Sequence, residues 1–327
     1  MEENFSRRKL LEPIELKLLN EKSDFYGFSQ IFTHLGSIFI ISYFHFIFMN
    51  TWWVIITGLF LGIFINFLYA AQHELSHGTV FRTSWLNVFS GRAIGFVMLF
   101  PRDYDQLMHF AHHRWTQDWE KDGELVREPY TLKSYLTYFL GFSYWYDKIT
   151  GILRRAKGVV VEPYIRKSEY RKITIESRFH VLGYFVILIA SIYFQTWFAL
   201  TFWIIPMLLT KPFQQLQNTI EHLGLPHRKD ILSNTRSTRT NFFMRWLCWQ
   251  MPYHTAHHTF PSVPFWKLKK LNDKIESNAG KVHSMGYIEF QIEVIKSLWS
   301  KDESKWPMNE VWITSSHDGV SRKIPIE

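Results

Sequence analysis

Four apolar runs, near residues 31–49, 52–71, 180–194 and 197–212, constrain this chain more than anything else in it. A bilayer core asks for about 20 predominantly apolar residues per helix. The first two runs meet that length. The last two meet it if Thr196 marks a tight turn and each run extends at its polar end, the fourth to about residue 218. The runs come in pairs, joined by Asn50-Thr51 and Gln195-Thr196, links without charge. The expected fold is an all-α integral membrane protein: four transmembrane helices (31–49, 52–71, 180–194, 197–218) in two hairpins.

Charge placement sets the orientation. Arg7, Arg8 and Lys9 precede the first run, and the middle segment and C-terminal third are rich in Lys and Arg. By the positive-inside rule both termini are cytoplasmic, with a helical cap formed by residues 72–178 and 221–327. Residues 85–100 are apolar but short and interrupted by Gly91, Arg92 and Gly95, which suits an amphipathic helix at the interface. Residues 131–152, rich in Tyr, Phe and Trp, read the same way, and the basic stretch 154–172 is expected to lie along the headgroups. No internal repeat, linker or second domain is visible, so 1–327 reads as a single domain.

The formal charge of +8 fits a surface against anionic headgroups. Nucleic acid is a poor alternative, because the basic residues flank apolar runs and form no compact module. The single cysteine, Cys248, rules out an internal disulfide and is expected to be packed rather than reactive. No cleavable signal is evident: residues 1–24 are polar and the first apolar run is span-length.

Eight histidines gather where apolar sequence gives way to charge: His73-Glu-Leu-Ser-His77, His109-Phe-Ala-His112-His113 and His254-Thr-Ala-His257-His258. On a helix, residues three and four apart share a face, so each cluster aims its imidazoles at one spot. One ion takes roughly four to six protein ligands, so eight imidazoles suit two. Ligand type alone names no metal, since neutral imidazole serves iron, copper, nickel and zinc. The first cluster alone also fits the His-Glu-x-x-His pattern of zinc proteases, with Glu74 as base.

The three boxes, their order and their placement against four spans resemble the integral-membrane fatty acid desaturase and hydroxylase family, and most of all its bacterial acyl-desaturase branch. Supporting stretches are His113-Arg-Trp-Thr-Gln-Asp118, Glu221-His-Leu-Gly-Leu-Pro226, Asn234-Thr-Arg-Ser-Thr-Arg-Thr240 and His258-Thr-Phe-Pro-Ser-Val-Pro264. The resemblance covers the chain from the second span to Leu271. It implies two iron ions that activate dioxygen, held by His73, His77, His109, His112, His113, His254, His257 and His258. It also implies a ninth imidazole, His222, with Asn218 as a water-mediated partner, in Asn218-Thr-Ile-Glu-His222. Lys211, Gln215, Asn218 and His222 fall on one helical stripe.

Glu74, Asp118, Asp122 and Glu221 are candidates to orient metal-bound rings, although Asp122 reads better as an exposed carboxylate. Asn66 and Gln215 are candidates for a substrate passage; Asn66 equally suits a bond to a neighbouring helix. Arg236 and Arg239 suit an anionic headgroup, a carrier phosphate or a redox partner, with a solvated loop the safer reading. His34, His180, His227, His283 and His317 are expected to be interfacial or solvated, and His45 to snorkel from the first span. Pro261 and Pro264 should end the helix of the third box.

The implied activity is an oxygen-dependent desaturase acting on an acyl lipid or thioester. Removing hydrogen from an unactivated methylene exceeds what side chains can do, so the cofactor supplies that chemistry. The sequence carries no cysteine cluster and no Gly-x-Gly-x-x-Gly, so electrons are expected from a separate donor, ferredoxin-like or a b-type cytochrome with its reductase. A hydroxylase or carotenoid ketolase is the nearest alternative. A membrane zinc hydrolase and a non-catalytic metal-binding receptor or store are more remote ones.

Overall fold

The computed structural model describes residues 10–125 and 131–300, with the backbone of 310–314 and 321–325. Arg7, Arg8, Lys9 and His317 lie outside the described residues. The described chain is mostly helical. It forms two compact units interleaved in sequence, one of residues 23–106 and 137–215, the other of 1–22, 107–136 and 216–327. The short helix α1 (Pro13–Leu19) opens the second of these.

The first unit carries the long apolar helices. These are α2 (Asp24–Ile47) and α3 (Trp53–His77), then α4 (Ser84–Val97); α5 (Arg102–Trp115) starts in this unit and continues in the other from residue 107. After α6 (Leu132–Phe139) come α7 (Phe142–Ala156) and α8 (Tyr170–Tyr193). Among the described residues three helical stretches are long and apolar enough to cross a membrane: Asp24–Ile47, Trp53–His77 and Lys167–Tyr193. Their outer faces carry large exposed apolar side chains, among them Phe32, Phe39, Phe179 and Phe185. Soluble proteins rarely leave such contiguous apolar surface bare.

The fourth apolar run is helical but broken. A π turn at Leu200–Ile204 leads into α9 (Ile205–Leu209), Thr210 interrupts it, and α10 (Lys211–His222) follows. Pro206 and Pro212 each lack an N–H, so the regular ladder cannot run through them. Side chains bond to the carbonyls around the break. Thr210 Oγ1 donates to Pro206 O at 2.8 Å, and Asn66 Nδ2 on α3 donates to Met207 O at 2.7 Å and meets Thr210 Oγ1 at 2.8 Å. Gly62 makes this approach possible: a Cβ there would lie 2.0 Å from Pro206 O. Gln215 is buried and donates to Tyr138 O at 3.1 Å.

Three apolar-run histidines depart from expectation. His45 does not snorkel: it is buried and bonded to Thr57 Oγ1 at 2.9 Å. His34 is buried against Phe64 O at 2.9 Å. His180 is likewise buried, bonded to the Tyr184 hydroxyl at 2.8 Å rather than solvated. A polar partner compensates for burial in each case, on α3 for His34 and His45 and one turn along the same helix for His180.

In the other unit, α11 (Ile231–Asn234), α12 (Phe242–Leu247) and α13 (His254–Thr259) precede α14 (Leu268–Ala279) and α15 (Tyr287–Ser300). Strands β1 (Ser237–Thr238) and β2 (Ser284–Met285) pair in parallel, and β3 (Glu310–Thr314) pairs antiparallel with β4 (Ser321–Pro325). Leu247, Trp249, Ala256, Val263, Leu268, Leu271 and Ile275 pack as its core around α13. Cys248 is fully buried among them.

Candidate metal centre

Each box sits where a local stop signal ends its helix. Helix α3 ends at His77 because Gly78 adopts a left-handed φ of 66° and donates to Leu75 O. His73 and His77 stack one turn apart at its end, ring centroids 5.6 Å apart. Helix α5 ends just after the second box, where Gln117 takes φ 64°. Helix α13 starts behind two left-handed residues, Trp249 and Gln250, and ends at Phe260, before Pro261.

Two groups of imidazoles converge within the second unit. The ligand nitrogens of His112, His222, His254 and His258 all lie within 4.8 Å of one another. His112 Nε2 is 3.1 Å from His222 Nε2 and 3.2 Å from His258 Nε2, and His254 Nε2 is 2.7 Å from His222 Nε2. In the other group His113 Nε2 lies 2.9 Å from His109 Nε2 and 3.1 Å from His257 Nε2. Imidazole nitrogens bound at about 2.0–2.1 Å to one first-row ion sit roughly 3 Å apart. The spacing therefore fits ligand edges around an ion.

The opposite ring nitrogens face outward, to acceptors. His112 Nδ1 is 2.8 Å from Asp122 Oδ1, and His109 Nδ1 is 2.9 Å from Glu124 Oε1. His222 Nδ1 donates to Asn234 O at 3.0 Å, and His254 Nδ1 lies 3.3 Å from Glu221 Oε1. His258 Nδ1 meets Thr116 Oγ1 at 3.3 Å. Thr116 spends its own hydrogen on His112 O at 2.7 Å, so its oxygen accepts from His258. With the proton on Nδ1, as the acceptors beside His109, His222 and His258 favour, a neutral ring presents a bare Nε2 lone pair inward, and His112 does so once it gives up its second proton. Metal-binding histidines are held in this way.

Asp122 corrects the sequence reading. It is buried, not exposed, and accepts from Gln117 N at 2.8 Å as well as from His112. The turn 118–122 folds it inward, with Asp118 capping the N–H groups of Glu120 and Lys121 at 3.0 Å. Arg236 is buried rather than solvated, donating to Ile220 O at 2.6 Å and Leu223 O at 3.2 Å. Arg239 is exposed and pairs with Glu289. His227 is buried against Gln117 O at 3.2 Å, contrary to expectation, whereas His283 is exposed. Glu74 is buried and accepts from Thr79 Oγ1 at 3.4 Å, and Asn218 is half-buried on α10.

Sequence reasoning missed Glu124, Thr116, Gln217 and Tyr287. The Tyr287 hydroxyl donates to Gln217 Oε1 at 2.5 Å, and Gln217 Nε2 donates to Glu221 Oε1 at 2.6 Å. This buried chain reaches His254 from α15. Only Gln217 carried a sequence signal, lying four residues before Glu221 on one helix face.

Electrostatics follow from burial and from these carboxylates. Burial alone lowers an imidazole, but Asp122 and Glu124 overcome it at His112, which is raised to about 9. Burial and the neighbouring His112 push His222 and His257 down to about 3, and burial with four histidine neighbours holds His258 well below the usual value. Burial raises the Glu221 carboxyl to about 8. His112 therefore holds its proton more tightly, while His222, His257 and His258 are held towards the neutral form that coordinates metal.

The family model for fatty acid desaturases matches residues 50–291. An sn-1 oleoyl-lipid 12-desaturase from Picosynechococcus sp. is 22% identical over 268 residues, covering 76% of each chain.

Proposed function

The chain belongs to the fatty acid desaturase family, and on that premise we propose that this oxidoreductase is an oxygen-dependent acyl desaturase holding two iron ions. One ion is assigned to His112, His222, His254 and His258, and the other to His109, His113 and His257; His73 and His77 are kept as ligands on the strength of their box. Asn218 is assigned a water-mediated contact. The observation that carries the reading is the inward convergence of Nε2 atoms while Nδ1 atoms are tied to Asp122, Glu124, Asn234 and Thr116.

Iron would supply the activation of dioxygen needed to break unactivated C–H bonds. Dioxygen takes two electrons from the donor and two electrons with two hydrogens from the acyl chain. With two further protons it leaves as two waters. The residues of this chain fix ligand direction, keep bulk water from the buried rings, and raise ligand basicity through Asp122 and Glu124. His112 sheds its proton when metal is loaded.

The broken stretch 197–218 serves in this reading as the fourth span, with both termini and all boxes cytoplasmic, as the charge bias favours. Broken helices are tolerated at membrane depth where neighbours satisfy the backbone, which Asn66 and Thr210 do here. The substrate is an acyl chain carried on a lipid, the class named for the cyanobacterial relative. Electrons come from a separate ferredoxin-like or cytochrome donor docking on the basic cytoplasmic face. Reconstitution with a donor, lipid and dioxygen tests the reading: the product should be lighter by two hydrogens. A product that gains oxygen would instead establish a hydroxylase or ketolase.

A further inference from the structure

A basic pocket in the first unit lies outside the metal centre. It occupies about 570 Å³ beside the start of α8, with Arg92, Arg171 and Lys172 around it and Phe96, Ile175 and Phe179 lining its apolar side. Phe96 is held in place by the Tyr184 ring, centroids 4.6 Å apart. Three cations share one buried carboxylate: Asp103 is 2.7 Å from Arg92, 2.9 Å from Arg102 and 3.1 Å from Lys172. Glu176, 3.9 Å from Arg92 Nε, is the second carboxylate lining the pocket. With Arg171, four cations face two carboxylates, and the surplus is positive.

The surplus is accessible. Arg92 and Lys172 are 51% and 46% exposed at the side chain, and Arg171 is exposed beside them. The surroundings are apolar. Trp85, Phe89 and Arg92 form one stripe on amphipathic α4, with both aromatic rings exposed. Phe179 and Leu182 continue the pocket's apolar side along the exposed face of α8, a helix long enough to span. A cationic seat opening onto a bare apolar helix face matches a ligand with an anionic head and hydrocarbon tails.

We propose that this pocket binds one anionic phospholipid, its phosphate between Arg92, Arg171 and Lys172 and its acyl chains along Phe179 and Leu182. The basic side chains supply charge attraction at the membrane surface, and Arg adds a planar donor pair suited to phosphate oxygens. Asp103 keeps Arg92 and Lys172 from swinging into solvent.

Native mass spectrometry of the full chain, titrated with phosphatidylglycerol or phosphatidylcholine, tests this directly. One phosphatidylglycerol should bind tightly, while phosphatidylcholine and inorganic phosphate bind far more weakly. Each basic side chain near an anionic group contributes about a factor of five, so Arg171→Ala with Lys172→Ala should weaken phosphatidylglycerol about 25-fold. Arg171→Glu alone, at an exposed position, should weaken it too while iron content stays unchanged. The control pair Lys270→Ala with Lys281→Ala, removing equal charge elsewhere, should leave binding intact. Equal binding of phosphatidylcholine, equal loss in the control pair, or full retention in the Arg171 and Lys172 variants would overturn the proposal. Binding of inorganic phosphate as tight as the lipid would overturn it in favour of a free-phosphate site.

Discussion

His112 Nδ1 and Asp122 Oδ1 lie 2.8 Å apart, both groups buried. The contact fixes the tautomer of His112, aims its Nε2 at His222 and His258, and makes it the proton-bearing ring of the metal-free cluster. Asp122→Asn keeps the shape and removes the charge. Iron affinity should fall about 10–100-fold, the usual cost of losing a carboxylate behind a metal-bound histidine. Competition titration with a chelator measures it, and unchanged affinity would count against the assignment.

The same pair sets opposite pH dependences for stability and metal loading. His112 is raised to about 9 in the folded metal-free protein, against about 6.5 for an unperturbed histidine. Its stabilising contribution is therefore complete below about pH 6.5 and lost as pH rises through about 9. That contribution amounts to about 3 kcal/mol. Iron affinity should rise over that window, because His112 must shed its proton to bind. Melting curves of metal-free protein check the first slope and chelator titrations the second. Asp122→Asn should flatten both.

Thr116 links two ligands, accepting from His258 Nδ1 while donating to His112 O. Thr116→Val removes both bonds at nearly constant volume. Stability should drop by about 1–3 kcal/mol and iron occupancy should fall with it. Thr116→Ser should restore both, a rescue expected only if the hydroxyl itself matters.

How far these sites were legible in the sequence varies with the range of the interactions. Box spacing is local, so the shared faces of His109 with His113 and His254 with His258 follow from helix periodicity alone. Asp122 was not legible, because its burial depends on a turn returning it beneath α5, and exposure was the reasonable expectation for an acidic residue in polar sequence. Glu124 and Tyr287 act across distant segments and leave no periodic trace, and the bond of Thr116 to His258 is equally long-range. His34 and His180 read as solvated because imidazole is polar, yet Phe64 O and the Tyr184 hydroxyl satisfy them inside the fold. The apolar run at 197–212 was visible, and Pro206 and Pro212 within it were the signs of its break.

Packing of the broken segment gives a further test. A methyl at Gly62 would collide with Pro206 O, so Gly62→Ala should destabilise by about 1–3 kcal/mol or more. Gly36 on α2 has nothing within 4 Å of its would-be Cβ, and Gly36→Ala should not destabilise. Thermal inactivation of the two variants in detergent compares them directly. Equal loss in both would mean that the close approach of α3 does not hold the segment.

The most direct measurement is the metal content of protein purified without added metal, by elemental analysis against chain concentration. Two irons per chain are predicted, falling to one or fewer in His258→Ala and in His113→Ala, which belong to different nitrogen groups. One zinc and no iron per chain would contradict the account.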